Sequence, residues 1–310
     1  MPLVAALYLT GLAACAADQV RVESGSNNAP VSSASSAAQP LNSNREDRTH
    51  TITEQENHSE LPVPEINLGD DLKIITKELS EENPKLKYRN HVSFPQIEGA
   101  TNGSLKRFNQ AVAAMARKEF EDYRKIQLRP MKPQERFPRY HQDVVEYLSI
   151  DYEVMFANTE LLSVRFSAET YGRGAAHAVQ YFFVLNYDLK SGGTRRLSDL
   201  FKSRSRYLDV IASYTLHDLE KRICPPQGRA PDDEALSNCL HNMHVGWWDE
   251  RLAAKSENYK IWNVAKNGLV ISFDECLVAG CAGGQIVVVV PYAEIKDLLK
   301  SESPIAALLN

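Results

Sequence analysis

The chain has 310 residues, of which 24% are charged, and its formal net charge at pH 7 is -5. Binding to a phosphate backbone requires a surplus of basic residues, so this charge balance argues against nucleic acid as a partner. About 250 residues remain after the first sixty, which is enough for one large domain or two small ones with a substantial hydrophobic core.

The first fourteen residues, MPLVAALYLTGLAA, are predicted to be a lipoprotein signal peptide, residues 1–14. A membrane-spanning helix needs about twenty apolar residues, so this stretch is too short to cross a bilayer and fits the apolar core of an export signal. The sequence LAAC at Leu12–Cys15 resembles the bacterial lipobox, in which the cysteine receives a diacylglycerol. We therefore predict lipid attachment at Cys15, although the stretch lacks the Lys or Arg that usually opens such a signal.

Residues 15–60 are predicted to be a disordered tether, because a stretch rich in Ser, Ala, Asn and Pro buries too little apolar surface to fold. Two or three acyl chains hold a protein firmly at a membrane. The sequence thus predicts a lipid-anchored protein of the bacterial cell envelope, on the periplasmic side. Ala16 stands where lipoproteins retained in an inner membrane usually carry Asp, which favours the outer membrane if the organism has two.

Four cysteines remain once Cys15 is set aside, and an even number is typical of an exported protein whose thiols are paired. Of the three possible connectivities, proximity in sequence favours Cys224 with Cys239 and Cys276 with Cys281; free buried cysteines are the alternative. Cys239 also has metal-like spacing with His241 and His244. An oxidised thiol and two histidines without a third partner make a weak metal site, so no metal and no cofactor are predicted.

Residues 61–158 are predicted to form an N-terminal α+β half. Strands are expected at Asp71–Glu78 and Tyr88–Gly99, followed by a helix that begins at an N-cap, Ser104, and ends near Lys125. The apolar residues of that helix recur at helical spacing: Leu105, Phe108, Val112, Met115, Tyr123 and Ile126. Alternating apolar residues in 148–156 and 162–168 then predict a β-hairpin around Asn158.

Residues 159–302 are predicted to form a C-terminal half. A helix is expected from Ser198 or Asp199 to about Arg222, and a second hairpin around Lys266–Gly268. The stretch Ile286–Val290 is apolar on both faces, which predicts a central strand. Strands in series with helices inserted in blocks indicate an α+β fold: an antiparallel sheet with helices packed on one side, in one or two closely joined subdomains.

Three stretches, in this order, carry a family resemblance: VSFPQIEGATNGSLKRFNQAV, LLSVRFSAETYGRGAAHAVQYFFVLNYDLKSGGTRRLSDLF, and NGLVISFD followed by VVVVPYAEIKDLL. They resemble the extracytoplasmic domain shared by RsiV-type anti-sigma factors and PdaC-type peptidoglycan deacetylases, over roughly residues 88–300. The resemblance implies an α+β extracytoplasmic module, RsiV-like in residues 159–302, whose best-understood relative binds lysozyme as a signal. It implies no catalytic role for the module itself. Cys276 and Cys281 stand where relatives usually carry tyrosines.

Tyr171, Arg173 and His177 are the candidate ligand-binding residues. They flank a run of small residues that allows close approach, and side chains of these types hydrogen-bond and stack on a sugar or pair with a carboxylate. A histidine satisfied by nearby backbone is the alternative for His177. Trp247 and Trp248, which precede Asp249, are predicted as core packing or a helix cap rather than a carbohydrate platform. Since no hydrolase, P-loop or dinucleotide motif is found, no catalytic residue is predicted.

These features lead to one main hypothesis, a lipid-anchored cell-envelope binding protein. Its partners would be the membrane, through the N-terminal lipid, and either a peptidoglycan-type glycan or a lysozyme-like protein. The alternatives are a hydrolase or esterase acting on envelope polysaccharide, with His177 as general base, and a lipoprotein that scaffolds other envelope proteins. Whether the chain is an enzyme is left open by the sequence, which favours a non-enzymatic role.

Overall fold

A mixed β-sheet is the largest element of the computed structural model, which describes residues 65–69, 72–130, 144–172, 175–224 and 233–309. The predicted signal peptide (1–14), Cys15, the tether (15–60) and Arg173 lie outside the described residues. All described residues belong to one unit, residues 58–310. Pairing of strands across residue 158 joins the two predicted halves in one sheet.

The sheet has seven strands among the described residues. They are β1 (Glu65–Ile66), β2 (Lys73–Asn83), β3 (Tyr88–Glu98), β4 (Glu146–Ala157), β5 (Leu161–Tyr171), β6 (Val179–Asp188) and β7 (Gly193–Thr194). The order is β2-β3-β4-β5-β6-β7, with β1 beside β4. The β3–β4 and β1–β4 pairs are parallel and the others antiparallel. The predicted α+β class is confirmed, and the parallel pairs were not anticipated.

Helix α1 (Gly103–Leu128) connects the parallel strands β3 and β4 and packs on one face of the sheet. Its N-cap is Asn102, not the predicted Ser104: the Asn102 side chain accepts a hydrogen bond from the Leu105 backbone at 2.9 Å, and Ser104 only donates to Asn102. The prediction of Ile126 in the buried stripe was also wrong, since Ile126 is 44% exposed. The stripe runs instead through Leu105, Phe108, Val112, Ala116 and Phe120.

A second sheet is formed by β8 (Trp262–Ala265), β9 (Gly268–Phe273) and β10 (Ile286–Pro291) in the order β10-β9-β8. The predicted hairpin around Lys266 joins β8 to β9. The prediction of a central strand at Ile286–Val290 was wrong, because β10 lies at an edge. It is apolar on both faces because Val287 and Val289 pack against Met155 of the large sheet, while Val288 and Val290 belong to the core that includes the helices.

The helices of the second half are α2 (Tyr207–Ile223), α3 (Asp233–Met243), a π-helical turn (His244–Trp248), α4 (Asp249–Arg251) and α5 (Tyr292–Ile295). The helix predicted from Ser198 is a short 3-10 turn, Leu197–Leu200, and α2 begins only at Tyr207. The chain is extended at Phe201, which is buried and forms an isolated β-bridge with Leu299. This tertiary contact interrupts the helix that local periodicity predicted.

Two disulfides stabilise the second half. Cys224 at the end of α2 pairs with Cys239 of α3, with a Cα–Cα distance of 5.9 Å, and Cys276 pairs with Cys281 at 4.2 Å. These are the pairs that sequence proximity favoured. Since disulfides persist in oxidising compartments, they indicate an extracytoplasmic location. Among the described residues, no helix has both the length and the hydropathy needed to cross a bilayer.

Candidate ligand-binding site

Two neighbouring rows of polar and aromatic side chains cross the large sheet on the face away from α1. Strand register places Arg89, Tyr147 and Tyr171 in one row. It places His91, Ser149, Glu169 and Gln180 in the next. The intervening positions, such as Leu148 and Ala168, belong to the core under α1. Because side chains alternate along a strand, the two rows point to the opposite face.

Four side chains of these rows form one connected group, which we call the tyrosine platform: Tyr147, Tyr171, Glu169 and Gln180. The rings of Tyr147 and Tyr171 are stacked, with centroids 6.0 Å apart and an interplanar angle of 17°. The hydroxyl of Tyr147 donates a hydrogen bond to Oε1 of Glu169, and Nε2 of Gln180 donates to Oε2 at 2.7 Å. All four side chains are half-buried, so each still presents atoms to solvent.

The hydrogen bonds of the platform set its charge. The bonds from Tyr147 and Gln180 hold the pKa of Glu169 below its ordinary value, and partial burial opposes them. The same bond from Tyr147, with burial acting in the same direction, raises the pKa of that tyrosine to about 12. At neutral pH Glu169 is therefore ionised and Tyr147 protonated, so the carboxylate is a fixed acceptor held by two donors.

A shallow groove of about 350 Å³ lies beside the platform. Its lining includes Arg89, His91, Tyr147, Ser149 and Glu169. The guanidinium of Arg89 lies over the ring of Tyr147, with its Cζ 5.6 Å from the ring centroid. The groove therefore joins an aromatic surface, a carboxylate and an exposed cation within one stretch of sheet.

Of the three residues predicted from sequence, the structure describes Tyr171 and His177, which have different partners. Tyr171 belongs to the platform, and its hydroxyl donates a hydrogen bond to the backbone oxygen of Ala175 at 3.0 Å. His177 is exposed, and its Nδ1 donates to the backbone oxygen of Ala178 at 2.7 Å. Among the described residues, no hydrogen bond or ring contact joins His177 to Tyr171.

Sequence reasoning missed Tyr147, Glu169, Gln180 and Arg89. The alternation of apolar and polar residues already placed Tyr147 on the polar face of β4 and Glu169 on the polar face of β5. What was missing was the register, which sets Tyr147 opposite Tyr171 and Glu169 opposite Gln180.

The segment with metal-like spacing has another arrangement. Cys239 is held in a disulfide, while His244 lies 3.0 Å from Asp249 and 3.5 Å from Glu220. No group of three or more metal-binding side chains occurs within the described ranges. Trp248 is buried, and its Nε1 donates to the backbone oxygen of Val278 at 2.9 Å. Trp247 is half-buried under the guanidinium of Arg251, 4.6 Å from its ring centroid.

The second half, from the 3-10 turn at Leu197 to helix α5, is where the chain is similar to a known family. Residues 198–293 match the DUF3298 family model. That family is described as a protein of unknown function. The DUF3298 match contains none of the platform residues, so it bears on the fold around β8–β10 and not on the site.

Two solved DUF3298 proteins are similar to this chain. A crystal structure of a family member from Bacteroides fragilis has a TM-score of 0.54 and 19% identity, covering 79% of this chain and 99% of that one. At this identity the likeness concerns the fold alone. A DUF3298 family protein from Pseudomonas aeruginosa has a TM-score of 0.45 and 12% identity, covering 74% of this chain and 94% of that one. No curated protein matches the chain.

Proposed function

We propose that this protein is a lipid-anchored cell-envelope protein that binds a peptidoglycan-type glycan on the tyrosine platform. The single observation behind the proposal is the stacked pair Tyr147–Tyr171 beside the fixed carboxylate of Glu169 and the amide of Gln180. The resemblance of residues 88–300 to envelope proteins of the RsiV and PdaC types supports the same setting.

The chemistry of the platform suits a sugar. A pyranose ring has an apolar C–H face that packs against aromatic rings, and hydroxyls around its edge that need donors and acceptors. Tyr171 offers the aromatic ring, Glu169 the acceptor, and Gln180 the second polar group. The platform adjoins the groove at Arg89, which gives a bound sugar a second polar surface beside the aromatic one.

A variant of the platform tests this role. We expect Tyr171→Ala to weaken the binding of soluble peptidoglycan fragments to the full chain about fivefold or more, because an aromatic contact is worth roughly 1 kcal/mol beyond its buried area. Isothermal titration calorimetry measures the affinity. Tyr214→Ala, in α2, is the matched control, since it removes a half-buried tyrosine far along the chain from the platform.

Either of two results would contradict the proposal: unchanged affinity in Tyr171→Ala, or no binding of fragments by the unaltered chain. A lysozyme-like protein retained by the unaltered chain in place of glycan would favour the protein ligand. Hydrolysis of the fragments that is lost in His177→Ala would favour the hydrolase alternative instead.

The lipid anchor is a separate part of the proposal. Its support is the sequence LAAC at Leu12–Cys15, together with the extracytoplasmic setting that the disulfides indicate. On this view residues 1–14 are removed and residues 15–60 link the lipid to the folded part. We expect Cys15→Ser to move the protein from the membrane to the soluble fraction of fractionated cells. Equal membrane content in the two forms would count against acylation.

A further inference from the structure

Arg89 is an exposed cation without an anionic partner in the part of the chain that the structure describes. Its side chain makes no hydrogen bond or ion pair there, and its guanidinium lies over the ring of Tyr147, with Cζ 5.6 Å from the centroid. Glu82 lies opposite Arg89 in the pairing of β2 with β3, yet no ion pair forms between them. The guanidinium lies instead over Tyr147, a residue of the tyrosine platform.

Other arginines of the two sheets and their helices have the carboxylate partner that Arg89 lacks. Each of three of them has a carboxylate within hydrogen-bond reach: Arg124 with Glu81 at 2.6 Å, Arg165 with Glu153 at 2.8 Å, and Arg195 with Asp188 at 2.5 Å. Their guanidinium groups are thus already paired with carboxylates of the folded chain. The guanidinium of Arg89 has no such pair among the described residues, and it borders the groove.

The contact with Tyr147 leaves the N–H groups of this guanidinium without a hydrogen-bond partner among the described residues. A guanidinium that lies over an aromatic ring uses its face for that contact, while its N–H groups remain in its plane. Two parallel N–H groups fit a carboxylate with a geometry that an ammonium cannot match. The ring of Tyr147 therefore lies beside the guanidinium at the groove, where an anion can reach the N–H groups of Arg89.

The nearby carboxylate of Glu169 forms no ion pair with the guanidinium of Arg89. Both of its oxygens already accept hydrogen bonds, one from Tyr147 and one from Gln180, and it lies in the neighbouring row of the sheet. This face of the sheet therefore carries a carboxylate, Glu169, whose oxygens already accept hydrogen bonds. It also carries a guanidinium, Arg89, that has no anionic partner among the described residues. Such an arrangement discriminates among ligands by where their charge lies.

We propose that Arg89 forms a subsite for a carboxylate of the glycan that lies on the tyrosine platform, so that the ligand class is an acidic rather than a neutral oligosaccharide. This inference rests on the proposed function and adds the chemistry of the substrate to it. In a peptidoglycan-type glycan the carboxylate has two sources, a lactyl group on the sugar ring or the peptide attached to that group. Arg89 would bind either through the same two N–H groups.

Three probes distinguish these sources. They are a neutral N-acetylglucosamine tetramer, a tetramer that alternates N-acetylglucosamine with N-acetylmuramic acid and carries free lactyl carboxylates, and the same acidic tetramer with peptides attached. Each is titrated calorimetrically into the full chain, into Arg89→Gln and into Arg117→Gln. Arg117 is an exposed arginine of α1, on the other side of the sheet, so its variant loses the same charge away from the groove.

We expect Arg89→Gln to weaken binding of at least one acidic tetramer about tenfold, since a charge-assisted bidentate pair is lost, and to leave the neutral tetramer within about twofold. Arg117→Gln is expected to bind all three as the unaltered chain does. A loss confined to the free-lactyl probe places the carboxylate on the sugar, and one confined to the peptide-bearing probe places it on the peptide.

Equal affinities of Arg89→Gln and the unaltered chain for both acidic tetramers would overturn the subsite while leaving the glycan site intact. The same would follow if Arg89→Gln weakened all three probes equally. If the unaltered chain bound none of the three, the proposed function itself would fail and the subsite with it.

Discussion

Replacing Trp248 by alanine is expected to lower the free energy of unfolding by about 4 kcal/mol, as truncations of a fully buried aromatic side chain do. Trp248 is 1% exposed and belongs to the core between the second sheet and its helices. Its removal leaves a large cavity there. It also leaves the backbone oxygen of Val278 without the indole donor that satisfies it at 2.9 Å, which adds the cost of an unpaired buried acceptor.

The neighbouring tryptophan supplies the control. Trp247 is half-buried, and its ring is covered by the guanidinium of Arg251, which is anchored to the backbone oxygen of Leu277 at 2.7 Å. We expect Trp247→Ala to cost no more than about 2 kcal/mol, because part of the ring remains in water in the folded state. Urea unfolding followed by circular dichroism measures the free energy of unfolding of both variants. The comparison requires that this free energy depend on urea concentration with the same slope in each. Equal losses in the two would contradict the assignment of Trp248 to the core.

The second large effect is expected at Ser163, between the two sheets. Its hydroxyl donates to Oδ1 of Asn186 at 2.6 Å and accepts from the Nδ2 of Asn263 at 2.9 Å and from the backbone nitrogen of Val264 at 3.0 Å. All of these groups are buried. Ser163→Ala removes one small atom and leaves three polar groups short of a partner, so we expect a loss of about 3 kcal/mol in the free energy of unfolding.

Ser167 makes the matched comparison for Ser163. It lies four residues further along β5, on the same face, but it is exposed. The change Ser167→Ala is therefore expected to alter the free energy of unfolding by less than about 0.5 kcal/mol. Measured in the same urea titration, a small effect at both positions would mean that water reaches the space between the sheets and replaces the lost hydroxyl.

Elements with a strong local pattern were predictable from the sequence. Leu105, Phe108 and Val112 recur at helical spacing and form part of the buried face of α1 as predicted, and the alternation in 148–168 forms the β4–β5 hairpin. The pairing of Cys224 with Cys239 also followed from proximity along the chain. In each case the information lies within about twenty residues, because periodicity and short loops act locally.

Contacts between distant segments were beyond the reach of such patterns. The row Arg89–Tyr147–Tyr171 depends on the parallel pairing of β3 with β4, across the whole of α1. A slip of one residue in that register would turn Arg89 and Tyr147 to opposite faces, and nothing in either strand alone forbids it. Likewise, Ile286–Val290 has the composition of a central strand, yet it lies at an edge covered on both faces.

The amino-acid sequence by itself thus determined the α+β class, helix α1, the β4–β5 hairpin and the pairing of the cysteines, since each follows from spacing along the chain. Only the tertiary structure decided that Tyr171 has Tyr147 and not His177 as its partner, and that Trp248 is the core tryptophan of the pair. The physical reason is that strand register and burial are set by packing among all the elements at once. A local pattern specifies which face of an element is apolar, but not what that face will meet.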